Sequence, residues 1–305
     1  MTTPSTFKHL VSKSTLAQGI AVRKDCEEWF NAPAKGQSRE IVLLFEGQEA
    51  LVTLRRLANE SGSVQMRYEA RRHSPFREWL RVTFTSPDSP AGCGLLEFHK
   101  AGDDAYRVVP ILGEDLAALT LCLGPGLSHN SADDVAQSCS SFPDILEVVG
   151  SIRFRPGQGQ AYYNQQIKDH FVERGWQSDE PVIPELPLRF DFRKSDCQVE
   201  VEFGNARSYY QDYLKFLVPF TRGIIRLGVL LVPTADFARL LCAGGTQRAI
   251  DRAQRAGTQL NRTPKYSGMI TYEKVEREFE ALRFILNMPI AVSGIDFWGR
   301  RETSV

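Results

Sequence analysis

The segment 189–203 carries three acidic side chains whose spacing could bind a metal ion. It reads Arg-Phe-Asp-Phe-Arg-Lys-Ser-Asp-Cys-Gln-Val-Glu-Val-Glu-Phe, with apolar and polar residues alternating on both sides of a polar centre. This period of two predicts a strand, a short turn and a second strand. If the chain reverses at Ser195-Asp196, then Asp191 lies directly opposite Glu200, on the face away from the Phe/Val core.

Opposed carboxylates in a sheet need a compensating cation, because like charges destabilise each other. Mg²⁺ is a suitable cation, since it binds one or two carboxylates together with a phosphate. The same register places Arg189 opposite Glu202. The alternative is therefore a solvated face on which Arg189, Arg193 and Lys194 neutralise the acids without a metal.

The elements around this hairpin follow the order helix, hairpin, helix, strand. Residues 163–176 predict an amphipathic helix that ends at a glycine, and residues 206–217 predict a second, tyrosine-rich helix. The apolar run 224–232 predicts a buried strand. Because helices and strands alternate, the second half of the chain is expected to be an α/β domain.

This order, together with the acids, resembles the PD-(D/E)xK nuclease core, and most closely that of the BglII-type restriction endonucleases. The resemblance covers about residues 155–297, including the nine-residue step from Asp191 to Glu200 and a late strand at 288–295. It implies that Asp191 is the first metal-binding aspartate and that Glu200 and Glu202 are the E-x-(K/Q/E) pair. Most of the superfamily carries lysine where Glu202 stands, whereas the BglII type has glutamine and the related BamHI has glutamate.

The resemblance also implies a mechanism and an assembly. Asp191, Glu200 and the carbonyl of Val201 would hold Mg²⁺, which would polarise the scissile phosphate and lower the pKa of a bound water for in-line attack. Glu202 would orient or deprotonate that water. The products would carry a 5′-phosphate, and a homodimer would cut both strands of a palindrome.

The helix before the hairpin adds one candidate acid, Glu173. PD-(D/E)xK nucleases often offer a further acid from this helix, which would make Glu173 a metal ligand. Arg174 and the helix end at Gly175 provide a simple structural explanation instead. His170 lies on the same helix and could equally be a surface residue.

The first half of the chain, from about residue 5 to 120, is rich in short strands separated by turn-forming clusters, as in a barrel or sandwich. The expected strands are 41–45, 50–54, 64–68, 80–84, 94–98 and 106–112. The polar stretch 121–150 has little periodicity and is expected to be a linker region. The expected domains are therefore 1–120 and 151–305.

The first half has a resemblance of its own. Segments 7–20, 67–81 and 94–103 look like the N-terminal DNA-binding domain of EcoRII, a β-pseudobarrel shared with plant transcription factors. Two polar and basic arms on a β scaffold could grip the DNA backbone while other side chains reach base edges. The alternative is a solvated sheet face. The candidate DNA-binding residues are Lys8, Lys13, Gln18, Arg23, Arg71, Arg72, His73, Arg77, Trp79 and Arg81.

A second basic segment, 248–265, lies in the other half and is polar and partly helical. It could be a recognition loop that enters a DNA groove, or it could be a mobile surface insertion. Its basic residues are Arg248, Arg252, Arg255, Arg262 and Lys265.

The composition is that of an ordinary globular protein. The 305 residues suffice for two domains with their own cores, and 42% are hydrophobic. The formal net charge is zero, so DNA binding would need basic residues concentrated locally. The six cysteines show no C-x-x-C pair, which argues against zinc and fits reduced thiols. Without a signal-peptide core or a membrane-spanning run, the cytoplasm is the simplest compartment.

These observations predict a two-domain α+β and α/β protein, with an N-terminal β-pseudobarrel DNA-binding domain and a C-terminal PD-(D/E)xK restriction-endonuclease-like domain. The expected activity is that of a Mg²⁺-dependent type II restriction endonuclease on double-stranded DNA, homodimeric, with no nucleotide cofactor and no membrane attachment. The alternatives are a DNA-binding sensor or regulator with an inactive nuclease fold, and a modification-dependent or repair nuclease.

Overall fold

A computed structural model of the chain divides into two compact units, Met1–Leu116 and Ala117–Val305. Within the described residues, every helix is too short or too polar to cross a membrane. The residues that the structure describes are 6–11, 13–22, 26–59, 62–68, 74–85, 94–112, 115–116, 118–155, 157–204, 209–258 and 268–300.

The first unit is built on a seven-stranded sheet with the order β1-β6-β7-β3-β4-β5-β2. Five of the six strands expected from the alternating pattern are present as β3 to β7, which confirms that interpretation. The elements are β1 (Thr6–Leu10), α1 (Lys13–Gln18), β2 (Ile20–Val22), β3 (Ser38–Phe45), β4 (Gln48–Arg56), β5 (Val64–Arg67), α2 (Pro75–Thr85), β6 (Leu95–Lys100) and β7 (Ala105–Ile111).

This sheet curves into a partial barrel, since buried side chains from all seven of its strands share one hydrophobic core. A flat sheet of this size would hold its edges roughly 29 Å apart, at the usual spacing between strands. Residues 11–19, which include the helix α1, reach roughly 25 Å between β1 and β2 when the rest of the connection is fully extended. The edges must therefore approach each other.

The segment 80–84, expected to be a strand, is instead part of helix α2. Leu80 and Phe84 are buried, but Val82 between them is 74% exposed. A strand would have placed all three side chains on one face, whereas a helix places Leu80 and Phe84 one turn apart. The helix begins after Ser74, whose hydroxyl accepts a hydrogen bond from the Arg77 N–H at 3.4 Å.

The second unit contains a six-stranded sheet with the order β8-β13-β12-β11-β10-β9. The central pairs β11–β12 and β12–β13 are parallel, and the other pairs are antiparallel. The elements are β8 (Leu119–His129), α3 (Ala132–Ser138), α4 (Phe142–Ser151), α5 (Gln160–Glu173), β9 (Gln177–Pro181), β10 (Arg189–Lys194), β11 (Cys197–Val201), α6 (Tyr210–Thr221), β12 (Leu227–Pro233), α7 (Ala235–Ala256), α8 (Tyr272–Leu282) and β13 (Ile290–Arg300).

Residues 121–150, expected to be a linker, form most of β8 and the helices α3 and α4 of the second unit. Strand β8 lies at the edge of the sheet, where Pro125 is tolerated although it has no N–H to donate. A Cβ on Gly124 would come within 3.3 Å of the Gly294 carbonyl of β13. The glycines and proline that suggested a loop therefore belong to a closely packed edge strand.

Helix α5 is fixed against the hairpin strand β10 at its C-terminal end. The helix ends at Gly175, which has φ 77°, as the glycine in the sequence predicted. The N–H groups of Gly175 and Trp176 return to the Val172 and Phe171 carbonyls, which is a Schellman arrangement. The Phe171 ring stacks on Phe192 of β10 with 4.4 Å between centroids.

Candidate active site

The predicted hairpin is present as β10 and β11. Phe192 pairs with Val199 and Lys194 with Cys197, so the turn contains two residues, and Ser195 has φ 54°. Extended by one pair, the same register places Asp191 opposite Glu200 on one face. The hairpin and its register could thus be predicted from the alternating pattern.

The part of this face that carries Glu200 is buried, unlike the solvated face that was the alternative to a metal site. Glu200 is 0% exposed and Gln198 of the same strand is also 0% exposed. The reason is that helices cover this sheet on both sides, and Gln198 Nε2 reaches the Lys215 carbonyl of α6 at 3.1 Å. A polar residue in the alternating pattern therefore does not face water here.

Each basic residue of the hairpin contacts a partner other than Asp191 and Glu200. Arg189 Nε lies 2.8 Å from Asp179 Oδ1 on the neighbouring strand β9, and Lys194 Nζ lies 2.8 Å from Asp144 Oδ2. Arg193 donates to Gln198 Oε1 at 2.7 Å. Arg189, which the predicted register placed opposite Glu202, therefore pairs with Asp179 of β9.

The cation that reaches Glu200 comes from helix α6. Lys215 Nζ lies 2.7 Å from Glu200 Oε2 and 2.9 Å from Asp212 Oδ1. Sequence reasoning gave neither Lys215 nor Asp212 a role. The feature that could have indicated a role for them is their position beside Tyr213 and Phe216, which are buried. Charged residues on the core side of a helix are normally paired with an opposite charge.

Burial dominates the electrostatics of these acids. It raises the pKa of Glu200 well above its ordinary value, and the charge of Asp191 adds to that increase, while Lys215 opposes it. Burial also raises the pKa of Asp191, against a hydrogen bond from the Val201 N–H at 2.8 Å. Burial raises the pKa of Asp212 to about 6 although Lys215 is beside it. The positive charge near these three carboxylates is therefore too small to offset the effect of burial.

Glu202 lies just beyond β11 and faces the loop that follows. Its Oε1 accepts a hydrogen bond from the Gly204 N–H at 2.6 Å, and its own N–H donates to the Leu231 carbonyl of β12 at 3.0 Å. A Cβ on Gly204 would come within 2.8 Å of that oxygen and 3.1 Å of Gln160 Nε2. The charge of Glu202 also raises the pKa of Asp212, so Glu202 belongs to the same group of charges.

An open cleft of about 230 Å³ lies beside Asp191. Helix α5 contributes Asn164 and Lys168, which are four residues apart and therefore share one face of the helix. The remaining lining residues are Ile167, Ser178, Asp179, Asp191, Phe192 and Val201. The cleft thus gives solvent access to Asp191.

Glu173 is not brought to this cleft. It lies nine residues after Asn164, which is two and a half helical turns and hence the opposite side of α5. Its side chain is 68% exposed and lies 3.3 Å from His170 Nδ1. The structure thus favours the structural explanation of Glu173 over a metal-binding one.

The donor chemistry near Asp191 fits a hard cation, although no preformed cage is present among the described residues. Within that part of the chain, no three Asp, Glu, His or Cys side chains converge as metal ligands. Asp191 and Glu200 supply carboxylate oxygens, which Mg²⁺ prefers, and the Val201 carbonyl is next to Glu200 in the chain. Their raised pKa values show that a nearby positive charge would stabilise both ionised groups.

The candidate DNA-binding residues of the first unit differ in their surroundings. Trp79 is in the core, 7% exposed and 5.0 Å from the Phe45 ring centroid, which is a structural position and not an exposed one. Lys8 Nζ lies 3.5 Å from Glu97 Oε1, and Arg77 donates to the Leu16 carbonyl at 3.4 Å. Arg81 is exposed.

The other candidates in this unit are described less fully. Lys13 and Gln18 are at the two ends of α1. Arg23, Arg71, Arg72 and His73 lie outside the described residues.

The basic segment 248–265 begins as a helix. Arg248, Arg252 and Arg255 belong to α7, and the last two are exposed one turn apart. Helix α7 ends at Gly257, which has φ 62°. Arg262 and Lys265 lie outside the described residues.

Comparisons with known proteins give one matching family and a similar solved structure. The family model described as "Restriction endonuclease BglII/BglIII" matches residues 127–295. A search of curated proteins finds no match. One similar solved structure is described as "Crystal structure of restriction endonuclease BGLII complexed with DNA 16-mer". The similarity covers 56% of this chain and 74% of that chain, with 17% identity and a TM-score of 0.42.

The family match spans more than half of the 305 residues and includes Asp191, Glu200 and Glu202. The chain therefore belongs to the BglII/BglIII restriction endonuclease family.

Proposed function

We propose that this protein is a Mg²⁺-dependent type II restriction endonuclease with a PD-(D/E)xK site, hydrolysing phosphodiester bonds of double-stranded DNA. The observation that carries the proposal is the juxtaposition of Asp191 and Glu200 on the β10–β11 hairpin, within the segment that matches the family. The cleft beside Asp191 supports it, because a phosphate must reach the carboxylates from solvent.

In this proposal, Asp191, Glu200 and the Val201 carbonyl hold Mg²⁺. The ion would supply charge stabilisation for the scissile phosphate and acidify water at neutral pH. Asp191 is oriented for this task by the Val201 N–H at 2.8 Å. Glu202 would orient or deprotonate the attacking water, and the Gly204 N–H at 2.6 Å restrains its carboxylate.

DNA recognition is proposed to involve both units. The partial barrel of the first unit would act as an EcoRII-like pseudobarrel that reads DNA, with the exposed Arg81 among its contacts. In the second unit, Arg252 and Arg255 project from α7 and could contact phosphates or base edges. Two copies of the chain would cut the two strands of a palindrome.

The proposed compartment is the cytoplasm. The six cysteines of the sequence show no C-x-x-C pair, which fits reduced thiols. Reduced thiols are typical of a reducing compartment.

A second candidate function is a DNA-binding sensor with an inactive nuclease fold. It is favoured by the contacts of Glu200, whose two oxygens accept hydrogen bonds from Gln198 and Lys215 at 2.9 and 2.7 Å. A metal ion would have to displace one of these partners. A modification-dependent or repair nuclease is a further variant of the first candidate.

Plasmid cleavage distinguishes these functions. Supercoiled plasmid with and without base modification is incubated with the protein in Mg²⁺ or in EDTA, with the Asp191→Asn variant as the control. A restriction endonuclease gives discrete fragments from unmodified plasmid in Mg²⁺ alone, and a modification-dependent enzyme cuts only the modified plasmid. Binding without cleavage of either plasmid would contradict the proposed function and support the sensor.

A further inference from the structure

An ammonium group from helix α6 lies within the group of buried carboxylates. Lys215 Nζ is 2.7 Å from Glu200 Oε2 and 2.9 Å from Asp212 Oδ1, and the Lys215 side chain is only 17% exposed. The side chains of Glu200 and Asp212 are 0% and 7% exposed. Ion pairs this short and this far from water hold their partners firmly, because an unpaired buried charge is costly.

The two oxygens of Glu200 differ in how readily they can be released. Oε1 accepts from Gln198, and Gln198 is itself held by Arg193 at 2.7 Å and by the Lys215 carbonyl at 3.1 Å. Oε2 accepts from Lys215, which has a second acceptor in Asp212. Lys215 can therefore release Glu200 and keep an ion pair, whereas Gln198 would lose part of a fixed network.

We propose that Lys215 is a positioning residue for the Asp191–Glu200 pair. It is the counter-ion that holds Glu200 in place in the metal-free protein, and a divalent cation binding at Asp191 and Glu200 competes with it for Glu200 Oε2. Asp212 retains the ammonium group when Glu200 turns to the cation. The inference rests on the proposed function, since it concerns the same metal site.

The test compares three full-length variants with the wild-type protein. Lys215→Met removes the charge and keeps an unbranched apolar side chain, while Lys215→Arg keeps a cation. Lys194→Met is the matched control, because Lys194 is also a partly buried lysine with one ion pair, to Asp144 at 2.8 Å. Thermal unfolding in EDTA and calorimetric titration with Mg²⁺ alone, without DNA, are measured for each.

The expected result is a loss of stability together with a gain in cation affinity. Lys215→Met should lower Tm in EDTA by roughly 5–10 °C. The same variant should bind Mg²⁺ roughly tenfold more tightly, because a competing positive charge is gone. Lys215→Arg should keep an affinity close to wild type, even if its Tm falls. Lys194→Met should lose stability with no change in Mg²⁺ affinity.

Two outcomes separate this inference from the proposed function. If wild type binds Mg²⁺ and Lys215→Met binds it no more tightly, then Lys215 does not compete with the cation and the inference is wrong. The proposed metal site is not contradicted by that result. If neither protein binds Mg²⁺ and wild type does not cleave DNA, both the proposed function and the inference are wrong.

A double variant keeps the inference testable if Lys215→Met does not fold alone. In the Glu200→Gln background the partner charge is already absent, so the Glu200→Gln/Lys215→Met chain should fold. Failure of the double variant to fold as well would mean that Lys215 only fills space, which would overturn the inference.

Discussion

Asp191 of β10 accepts a hydrogen bond from the Val201 N–H of β11, 2.8 Å away, across the hairpin. This bond fixes the aspartate beside the strand that carries Glu200. An asparagine at position 191 could accept the same bond through its carbonyl oxygen, so the geometry would survive the loss of charge.

Asp191→Asn should therefore abolish cleavage without unfolding the protein. Burial raises the pKa of Asp191, so a neutral side chain removes a desolvation cost and Tm in EDTA should stay level or rise. Glu200→Gln should also abolish cleavage, because it removes the other proposed ligand. DNA binding by both variants should remain within a few-fold of wild type in a gel-shift assay. Full cleavage by either variant in Mg²⁺ would refute the assignment.

Glu202→Lys should lose most cleavage activity, although the resemblance to PD-(D/E)xK nucleases would favour lysine at this position. Lysine cannot accept the hydrogen bond that the Gly204 N–H donates at 2.6 Å. Glu202→Gln is the matched control, since its carbonyl oxygen can still accept that bond. Initial rates on plasmid DNA should rank wild type first, Glu202→Gln second and Glu202→Lys last. A lysine variant as active as wild type would show that Glu202 has no special role.

Asp212 should make the metal-free protein less stable as the pH rises from about 4 to 6. Its folded-state pKa of about 6 is above the unfolded-state value, so the folded protein binds more protons across this window. By linkage, stability present at low pH is lost as pH rises, on the order of 2–3 kcal/mol for this group alone.

The measurement is the difference in Tm between Asp212→Asn and wild type in EDTA, from pH 4 to pH 7. The asparagine variant lacks the titration, so this difference should increase with pH. Carboxylates that do not interact with Asp212 titrate equally in both proteins and cancel, whereas the pKa of Glu200 falls slightly when the Asp212 charge is removed. A difference that is constant with pH would contradict the expected shift.

Arg71 and Arg72 should contribute to DNA binding by the first unit. Replacing both with alanine in the cleavage-deficient Asp191→Asn chain should weaken binding by about 1–3 kcal/mol for each arginine that reads a base edge, and by less for one that touches only phosphate. The salt dependence of binding should become shallower, since fewer counterions are released. The matched control is Arg107→Ala, an exposed arginine of β7. Equal affinity and salt slope in all three proteins would remove these arginines from the interface.

Trp79→Ala should act on stability and not specifically on DNA contacts. Trp79 packs between Phe45 and Phe76, with ring centroids 5.0 and 5.4 Å away. Removing it should destabilise the first unit by about 3–5 kcal/mol. Chemical denaturation followed by circular dichroism measures this loss. An unchanged unfolding midpoint would show that the ring is not part of the core.

Local patterns were sufficient to predict five strands of the first unit and the hairpin register. Alternation identifies β3 to β7, and the two halves of 189–203 fix the pairing of Phe192 with Val199. The run 80–84 fits both a strand and a helix, because residues four apart share a face in either structure. The helix is distinguished from a strand only by Phe76 and Trp79, which precede this run and are also buried.

The burial and pairing of Glu200 could not be read from the sequence, because they depend on a helix that packs over the sheet. That packing needs Gly228, where a Cβ would come within 2.7 Å of the Phe216 ring. The close approach of α6 then brings Lys215 to a carboxylate fifteen residues earlier in the chain. Contacts between a helix and a strand that are far apart in the chain do not produce a periodic pattern in the sequence.

The pairing of β1 with β6 constrains the order in which the first sheet assembles. Thr6 is opposite His99, whereas the hairpin of β3 and β4 closes over only a few residues. Strand β1 is synthesised before the other strands of its sheet and therefore waits for β6, one of the last strands of the unit. Until β6 has been synthesised, β1 lacks this partner strand, and pairings with so large a sequence separation form slowly. During synthesis, this unit carries an open strand edge that a second nascent copy could occupy.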